Sequence, residues 1–183
     1  MTARQAAALA RYYRLIHLPP LNRCHPMLAG TFPLGLNTDS SDLDVVCYTK
    51  SPFRFANRLS TSFGWLPGFQ ARLRNIAGLP TVVAKFQYYG FPVEVFAQPK
   101  LPCKQRAVRH MKIEEQLLRL GGNELRSCVR ALRRIGAKTE PAFARCLGLP
   151  GDPYLAVLSL ENLTEAEVVE LLRNGAYRRE WRF

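Results

Sequence analysis

The chain predicts an α+β fold, a mixed sheet flanked by helices and followed by a C-terminal helical region. Three observations carry this. β-branched and aromatic residues fill Thr81 to Tyr88 and return in Val93 to Phe96 with period-two alternation. From Pro102 onward, apolar residues recur at helical spacing between capping signals. The 183 residues are 48% hydrophobic, enough for a sizeable core in one domain, or in one domain with a helical appendage. The expected division is an α/β core over residues 1–101, with a helical region over 102–183 packed on it.

Taken in order, Met1 to His17 is a basic helix on which Ala6, Leu9, Tyr13 and Ile16 share a face. It lacks the apolar core of a secretory signal. Pro19, Pro20 and Pro26 favour an extended approach to the first strand. Leu28 to Tyr48 reads as a short strand, a glycine-containing turn, a loop and a second strand, headed by Asp42 and Asp44. Ser51-Pro52 starts a helix that runs to about Phe63 and packs Phe55, Leu59 and Phe63 on the sheet. Gly64, Pro67 and Gly68 break it. Phe69 to Ile76 is a further strand, with Arg72 and Arg74 on one face. Thr81 to Tyr88, the turn Tyr89-Gly90-Phe91-Pro92 and Val93 to Phe96 make a hairpin.

The remainder is helical. Pro102 to about Leu120 ends at Gly121-Gly122. Glu124 to Ile135 carries Arg126, Arg130, Arg133 and Arg134, either a solvated face or an extension of an RNA- or protein-binding surface. Pro141 opens a short helix ending near Gly148, and Asp152-Pro153 opens the next. Thr164 and Glu167 form a capping box before the last helix, which reaches about Asn174. The tail AYRREWRF is basic and aromatic, suited to packing or to a partner. His110 is read as structural.

The formal net charge is +12. That excess favours a polyanionic partner: nucleic acid, nucleotide phosphates or an anionic membrane face. The plainer alternative is a basic protein from an arginine-rich proteome. No apolar run is long enough to span a bilayer. Cys24, Cys47, Cys103, Cys128 and Cys146 are odd in number, widely spaced and without a C-x-x-C pair. They read as reduced, packed thiols of a cytoplasmic protein, not as a zinc site or a disulfide frame.

Acid is used sparingly. Up to Ile113 the acidic residues are Asp39, Asp42, Asp44 and Glu94, whereas eleven Lys and Arg lie between Asp44 and Glu114. Residues two apart on a strand point the same way, so Asp42 and Asp44 project together and repel unless a cation lies between them. Bare carboxylates at the head of an apolar strand are costly, and a hard cation such as Mg²⁺ would neutralise them. Glu94, in FPVEVF, is the other strand carboxylate. The bland alternative is a D-x-D turn with one edge-strand glutamate paired to a lysine.

The run GTFPLGLNTDSSDLDVV, with Gly30-Thr31 ahead of Asp42-Leu43-Asp44, resembles the signature of the polymerase-beta-like nucleotidyltransferase superfamily. Gly35 and Ser41 fall in step with its minimal members. With VEVFAQP, RAVRHM, KTEPAFA and GDPY, the chain is similar to an uncharacterised bacterial family, domain of unknown function 4269. Thr31 stands where serine is commoner and keeps a hydroxyl. Pro33 stands near a position where many relatives carry a basic residue. The resemblance makes the first segment the opening helix of the domain and implies a sheet order that sets Glu94 beside the Asp42–Asp44 strand.

It also implies a Mg²⁺-dependent nucleotidyltransferase (Mn²⁺ being possible) that moves NMP from an NTP such as ATP to an acceptor hydroxyl. Transfer of this kind uses metals about 3.5–4 Å apart. Asp42 and Asp44 would bridge them, and Glu94 would complete the acceptor-side ion. Gly30, Thr31 and Ser41 belong to the nucleotide-binding turn, where glycine lets backbone N–H groups approach the phosphates closely. Lys85 is a candidate phosphate contact, or else the diagonal cross-strand partner of Glu94. Charge ranks RNA or tRNA first as acceptor, a protein hydroxyl second and a small molecule third. The competing class is a non-catalytic module of the same fold that binds nucleic acid or a protein partner.

Overall fold

The computed structural model describes residues 1–180 and divides into two compact units, Met1–Val108 and Arg109–Phe183. The first holds a five-stranded sheet of β1 (Met27–Ala29), β2 (Leu43–Tyr48), β3 (Gln70–Ile76), β4 (Leu79–Tyr88) and β5 (Phe91–Gln98). The spatial order is β1-β2-β5-β4-β3. β2 and β5 run parallel, and the other pairs are antiparallel.

Period-two alternation gives the sheet one apolar face. Leu43, Val45 and Cys47 of β2, Val93, Val95 and Ala97 of β5, and Val82, Ala84 and Phe86 of β4 belong to one buried cluster. Helix α1 (Ala3–Ile16) adds Ala8, Tyr12 and Leu15, and α3 (Pro52–Phe63) adds Phe55, Leu59 and Phe63. Each fully buried side chain of this size contributes roughly 1.5–3 kcal/mol. The α3 reading therefore holds, with Pro52 at its first position. Both hairpins close on two-residue turns, Ala77-Gly78 and Tyr89-Gly90, in which every residue has positive φ. That matches the twist of the flanking strands.

Several expectations need correction. The buried face of α1 is Ala8, Tyr12 and Leu15, while Tyr13 is exposed. An alanine-rich helix offers more than one apolar stripe, and the core selects among them. Pro20 leads into a 3₁₀ turn (Leu21–Arg23), not an extended approach. A short helix α2 (Thr31–Leu34) stands where a plain turn was expected.

In the second unit α4 (Arg106–Arg134) has Gly122 as its non-helical residue, and the helix resumes directly beyond it. α5 (Thr139–Leu147), α6 (Pro153–Leu158) and α7 (Glu165–Asn174) follow, then α8 (Tyr177–Glu180). Asp152 caps α6 by accepting from the Leu155 N–H at 2.9 Å, and the Thr164–Glu167 capping box is present. The last three residues of the aromatic, basic tail lie outside the described residues. The reading of all five cysteines as reduced is overturned: Cys128 of α4 and Cys146 of α5 form a disulfide, with Cα atoms 6.3 Å apart. Helix packing, not spacing in the chain, brings them together. Cys24 and Cys47 are free and buried, and Cys103 is free and exposed.

His110 is structural as expected. Its Nδ1 lies 3.1 Å from Glu140 Oε1 and its Nε2 lies 3.0 Å from the Tyr154 carbonyl. One turn along α4, the Glu114 carboxyl is buried, and burial pushes its pKa up to about 8; the nearby Glu140 charge adds to this and Arg133 opposes it. Between its ordinary value of 4.5 and about 8, the folded protein retains a proton that the unfolded chain has released. Stability therefore falls as pH rises through that window. Glu114→Gln is expected to flatten the fall in melting temperature across it, as measured by thermal denaturation at a series of pH values.

Candidate active site

The register of the sheet sets one row of residues side by side: Ala29, Asp44, Glu94, Lys85 and Gln70 on β1, β2, β5, β4 and β3. Parity puts this row on the face opposite the apolar cluster, because Leu43, Val45, Val93 and Val95 flank it in sequence and point into the core. Asp44 and Glu94 are direct partners across the parallel β2–β5 pair. Asp42 immediately precedes β2.

Lys85 and Glu94 are also direct partners, and Lys85 Nζ lies 2.6 Å from Glu94 Oε2. The cross-strand ion pair is thus the arrangement present, and it is direct, not diagonal. The Lys85 side chain is largely exposed, at 61%. The hydrogen bond and charge of Glu94 raise the Lys85 pKa, desolvation opposes them, and Asp42 and Asp44 add further increments. All three carboxylates therefore act on one ammonium group.

The turn after β1 is shaped by Asp44. Gly30 has φ +70° and ψ −148°, a region essentially reserved for glycine. A Cβ there would fall 2.0 Å from Asp44 Oδ2. The carboxylate occupies the space that a side chain would need. Next to it, Thr31 donates its hydroxyl to Ser41 Oγ at 3.1 Å, and Ser41 Oγ accepts the Thr38 N–H at 2.9 Å. Both hydroxyl residues are buried. They fasten the loop between α2 and β2 to the start of α2, across the interval that the sequence signature leaves unspecified.

Two residues of α1 that the sequence reading assigned no role hold this segment, Arg4 at the loop and Gln5 at α2. Arg4 Nη2 donates to the Asp39 carbonyl at 2.6 Å, and Gln5 Nε2 donates to the Phe32 carbonyl at 2.7 Å. No local pattern marks them, since each acts on backbone more than twenty-five positions away.

The donor chemistry of Asp42, Asp44 and Glu94 suits a hard divalent cation, being carboxylate oxygen throughout. Among the described residues, however, no three acidic, histidine or cysteine side chains converge as a ready metal cage. The residues fit such an ion by donor type, and in the arrangement present Glu94 is held by Lys85.

The model of a family described as Domain of unknown function (DUF4269) matches residues 14–160. No curated protein matches the chain. Among solved structures, Cid1 poly(U) polymerase with MgGTP bound is 14% identical, at a TM-score of 0.53 over 87% of this chain and 50% of that one. A Cid1 structure described for RNA terminal uridylyl transferase activity is 14% identical, with a TM-score of 0.51 over 86% and 47%. The GLD-2/RNP-8 complex is 14% identical, with a TM-score of 0.53 over 94% and 77%. The chain spans about half the length of the Cid1 chains. The likeness is one of fold: a nucleotidyltransferase-like mixed sheet flanked by helices.

Proposed function

This chain belongs to the DUF4269 family, and we propose that it is a nucleotidyltransferase moving NMP from an NTP to an acceptor hydroxyl. The observation that carries the reading is the carboxylate row: Asp44 opposite Glu94, Asp42 two residues before Asp44, and Gly30 against the Asp44 carboxylate. A basic unit gains nothing as a polyanion binder from carboxylates gathered across one parallel strand pair.

In this reading Asp42 and Asp44 hold Mg²⁺ or Mn²⁺, joined by Glu94 once it parts from Lys85. The ion, when bound, relieves charge on the transferring phosphate and activates the acceptor oxygen. Gly30 keeps the turn close enough for backbone N–H groups to meet the triphosphate. Thr31 and Ser41 keep the loop in place. Lys85 is the counter-charge of Glu94 when no ion is bound. The formal charge of +12 favours RNA as the acceptor, ahead of a protein hydroxyl.

Transfer of label from each α-phosphate-labelled NTP to RNA, with Mg²⁺ or Mn²⁺, tests the proposal. Label on RNA with the wild type but not with Asp42→Ala/Asp44→Ala is the expected result. Equal labelling by both proteins would remove the site assignment. Lys85→Met is expected to lower the Mg²⁺ concentration needed for half-maximal transfer without raising KM for NTP. A KM increase would instead make Lys85 a phosphate contact.

One observation favours a second reading, a non-catalytic nucleic-acid-binding module: Lys85 already neutralises Glu94. Salt-sensitive RNA binding that is indifferent to Asp42→Asn, with no transfer for any NTP or metal, is the outcome that module requires.

A further inference from the structure

The first unit is electrically bipolar along β2 and β5. Its acidic residues are Asp39, Asp42, Asp44 and Glu94, all at or just before the strand heads apart from Glu94, which is the register partner of Asp44. The tails of the same two strands lead into cations. Beyond β2 come Lys50, Arg54 and Arg58, and beyond β5 come Lys100, Lys104 and Arg106.

At this basic edge lies an open cleft of about 640 Å³, lined by Arg23, Lys50, Arg54 and Arg58 together with Tyr48 and Thr49. Its walls are tied by backbone hydrogen bonds. Tyr48 N–H donates to the Cys24 carbonyl at 2.8 Å, and Thr49 N–H donates to the Gln98 carbonyl at 2.9 Å. The strand tails and the 3₁₀ turn are therefore fixed relative to one another before any ligand arrives.

The cations are badly placed for stability alone. Arg54 and Arg58 stand four apart on α3, where like charges repel. Lys50 and Arg54 flank the start of that helix, whose dipole disfavours positive charge, and its first turn has no acidic residue. No carboxylate of the first unit belongs to this strand-tail edge. Bound anionic charge would relieve all of these repulsions together. Arginines also present paired N–H donors to phosphate oxygens.

We propose that this cleft is a phosphate-binding site for the backbone of a single-stranded RNA, distinct from the carboxylate row. The cleft has the volume of a nucleotide-sized ligand, but further cations, Lys100, Lys104 and Arg106, follow the neighbouring β5 tail, which Thr49 joins to the cleft wall. A chain of phosphates uses that continuation, and a compact polyphosphate does not. From Asp44 to Tyr48 the strand advances about 13 Å, at about 3.3 Å per residue. The site therefore grips RNA about 13 Å along the strand from any end held at the carboxylates. That last role, anchoring the acceptor, rests on the transferase reading; the binding itself does not.

The test is anisotropy of a fluorescent single-stranded RNA titrated with the full chain over a salt series. Arg54→Glu/Arg58→Glu is compared with Arg72→Glu/Arg74→Glu, an equal charge change on exposed β3. The first variant is expected to weaken binding roughly tenfold or more and to flatten the salt dependence by about the loss of two phosphate contacts. The second is expected to do much less. Equal effects from the two would overturn the site in favour of net charge alone. Arg54→Gln/Arg58→Gln should reproduce the loss more mildly with a melting temperature that holds or rises, and full RNA affinity in that folded variant would also overturn it. Competition by inorganic triphosphate that the variant abolishes, with RNA affinity intact, would reassign the cleft to a small polyphosphate. RNA binding that needs the cleft, in a protein without transferase activity, would leave this site standing and remove the catalytic reading.

Discussion

Asp44→Asn is expected to reduce label transfer by about a thousandfold or more while leaving the fold intact. The magnitude follows from the chemistry assigned to the site. Charge stabilisation by a bound divalent ion is worth several kcal/mol, and each 1.4 kcal/mol is about a factor of ten in rate. Asparagine keeps the size of the side chain and one carbonyl oxygen beside Gly30, but it removes the charge. The melting temperature without metal should change little, because the repulsion of Asp44 by Asp42 and Glu94 is lost together with its attraction to Lys85. The stabilisation that Mg²⁺ gives the wild type, read as a shift in melting temperature with added metal, should shrink in the variant. Full activity in Asp44→Asn would end the assignment of the carboxylate row as catalytic.

The second large effect is expected from Gly30→Ala, a change of one methyl group. The backbone at φ +70° and ψ −148° is costly for any residue with a Cβ, by roughly 1–3 kcal/mol. The added carbon would also sit 2.0 Å from Asp44 Oδ2, so the carboxylate or the turn must move. Denaturant unfolding should show the stability loss, and transfer should fall toward the level of Asp44→Asn. The two effects are separable. Gly30→Ala destabilises and inactivates, whereas Asp44→Asn inactivates alone. A Gly30→Ala protein with wild-type transfer would show that Asp44 need not stay against the turn.

Much of the architecture is legible in local pattern. Ser51-Pro52 with Phe55, Leu59 and Phe63 specifies α3, because a proline at the first helical position and apolar residues at helical spacing are local facts. The same holds for the Asp152 cap and the Thr164–Glu167 capping box. It holds too for the existence of the hairpin, although its turn is Tyr89-Gly90 and not the expected four residues, since Phe91 and Pro92 already pair with Tyr88 and Gln87. The α1 face was misread by one position because its alanine-rich repeat fits more than one stripe.

The candidate site is legible in part. The scarcity of acid and the spacing of Gly30, Asp42 and Asp44 can be read directly, since each is a property of one short stretch. Its supports cannot. Arg4 and Gln5 bond to distant backbone, of the loop before β2 and of α2, and the β4–β5 register makes the Lys85–Glu94 pair, one of two readings of Lys85, direct and not diagonal.

By itself, then, the sequence determined the five strands and the longer helices, the basic balance and the sparing use of acid on strands, because periodicity, capping and composition act over a few residues. No local pattern gave the parallel pairing of β2 with β5: the family resemblance implied that Glu94 lies beside the Asp42–Asp44 strand, and the tertiary structure makes that pairing parallel and in register. That one pairing makes Asp44 and Glu94 neighbours at one place and collects Lys50, Arg54, Lys100 and Lys104 beyond the strand tails. The reason is that parallel strands share both direction and register, so residues fifty positions apart come to lie on one row, a relation that no local pattern encodes.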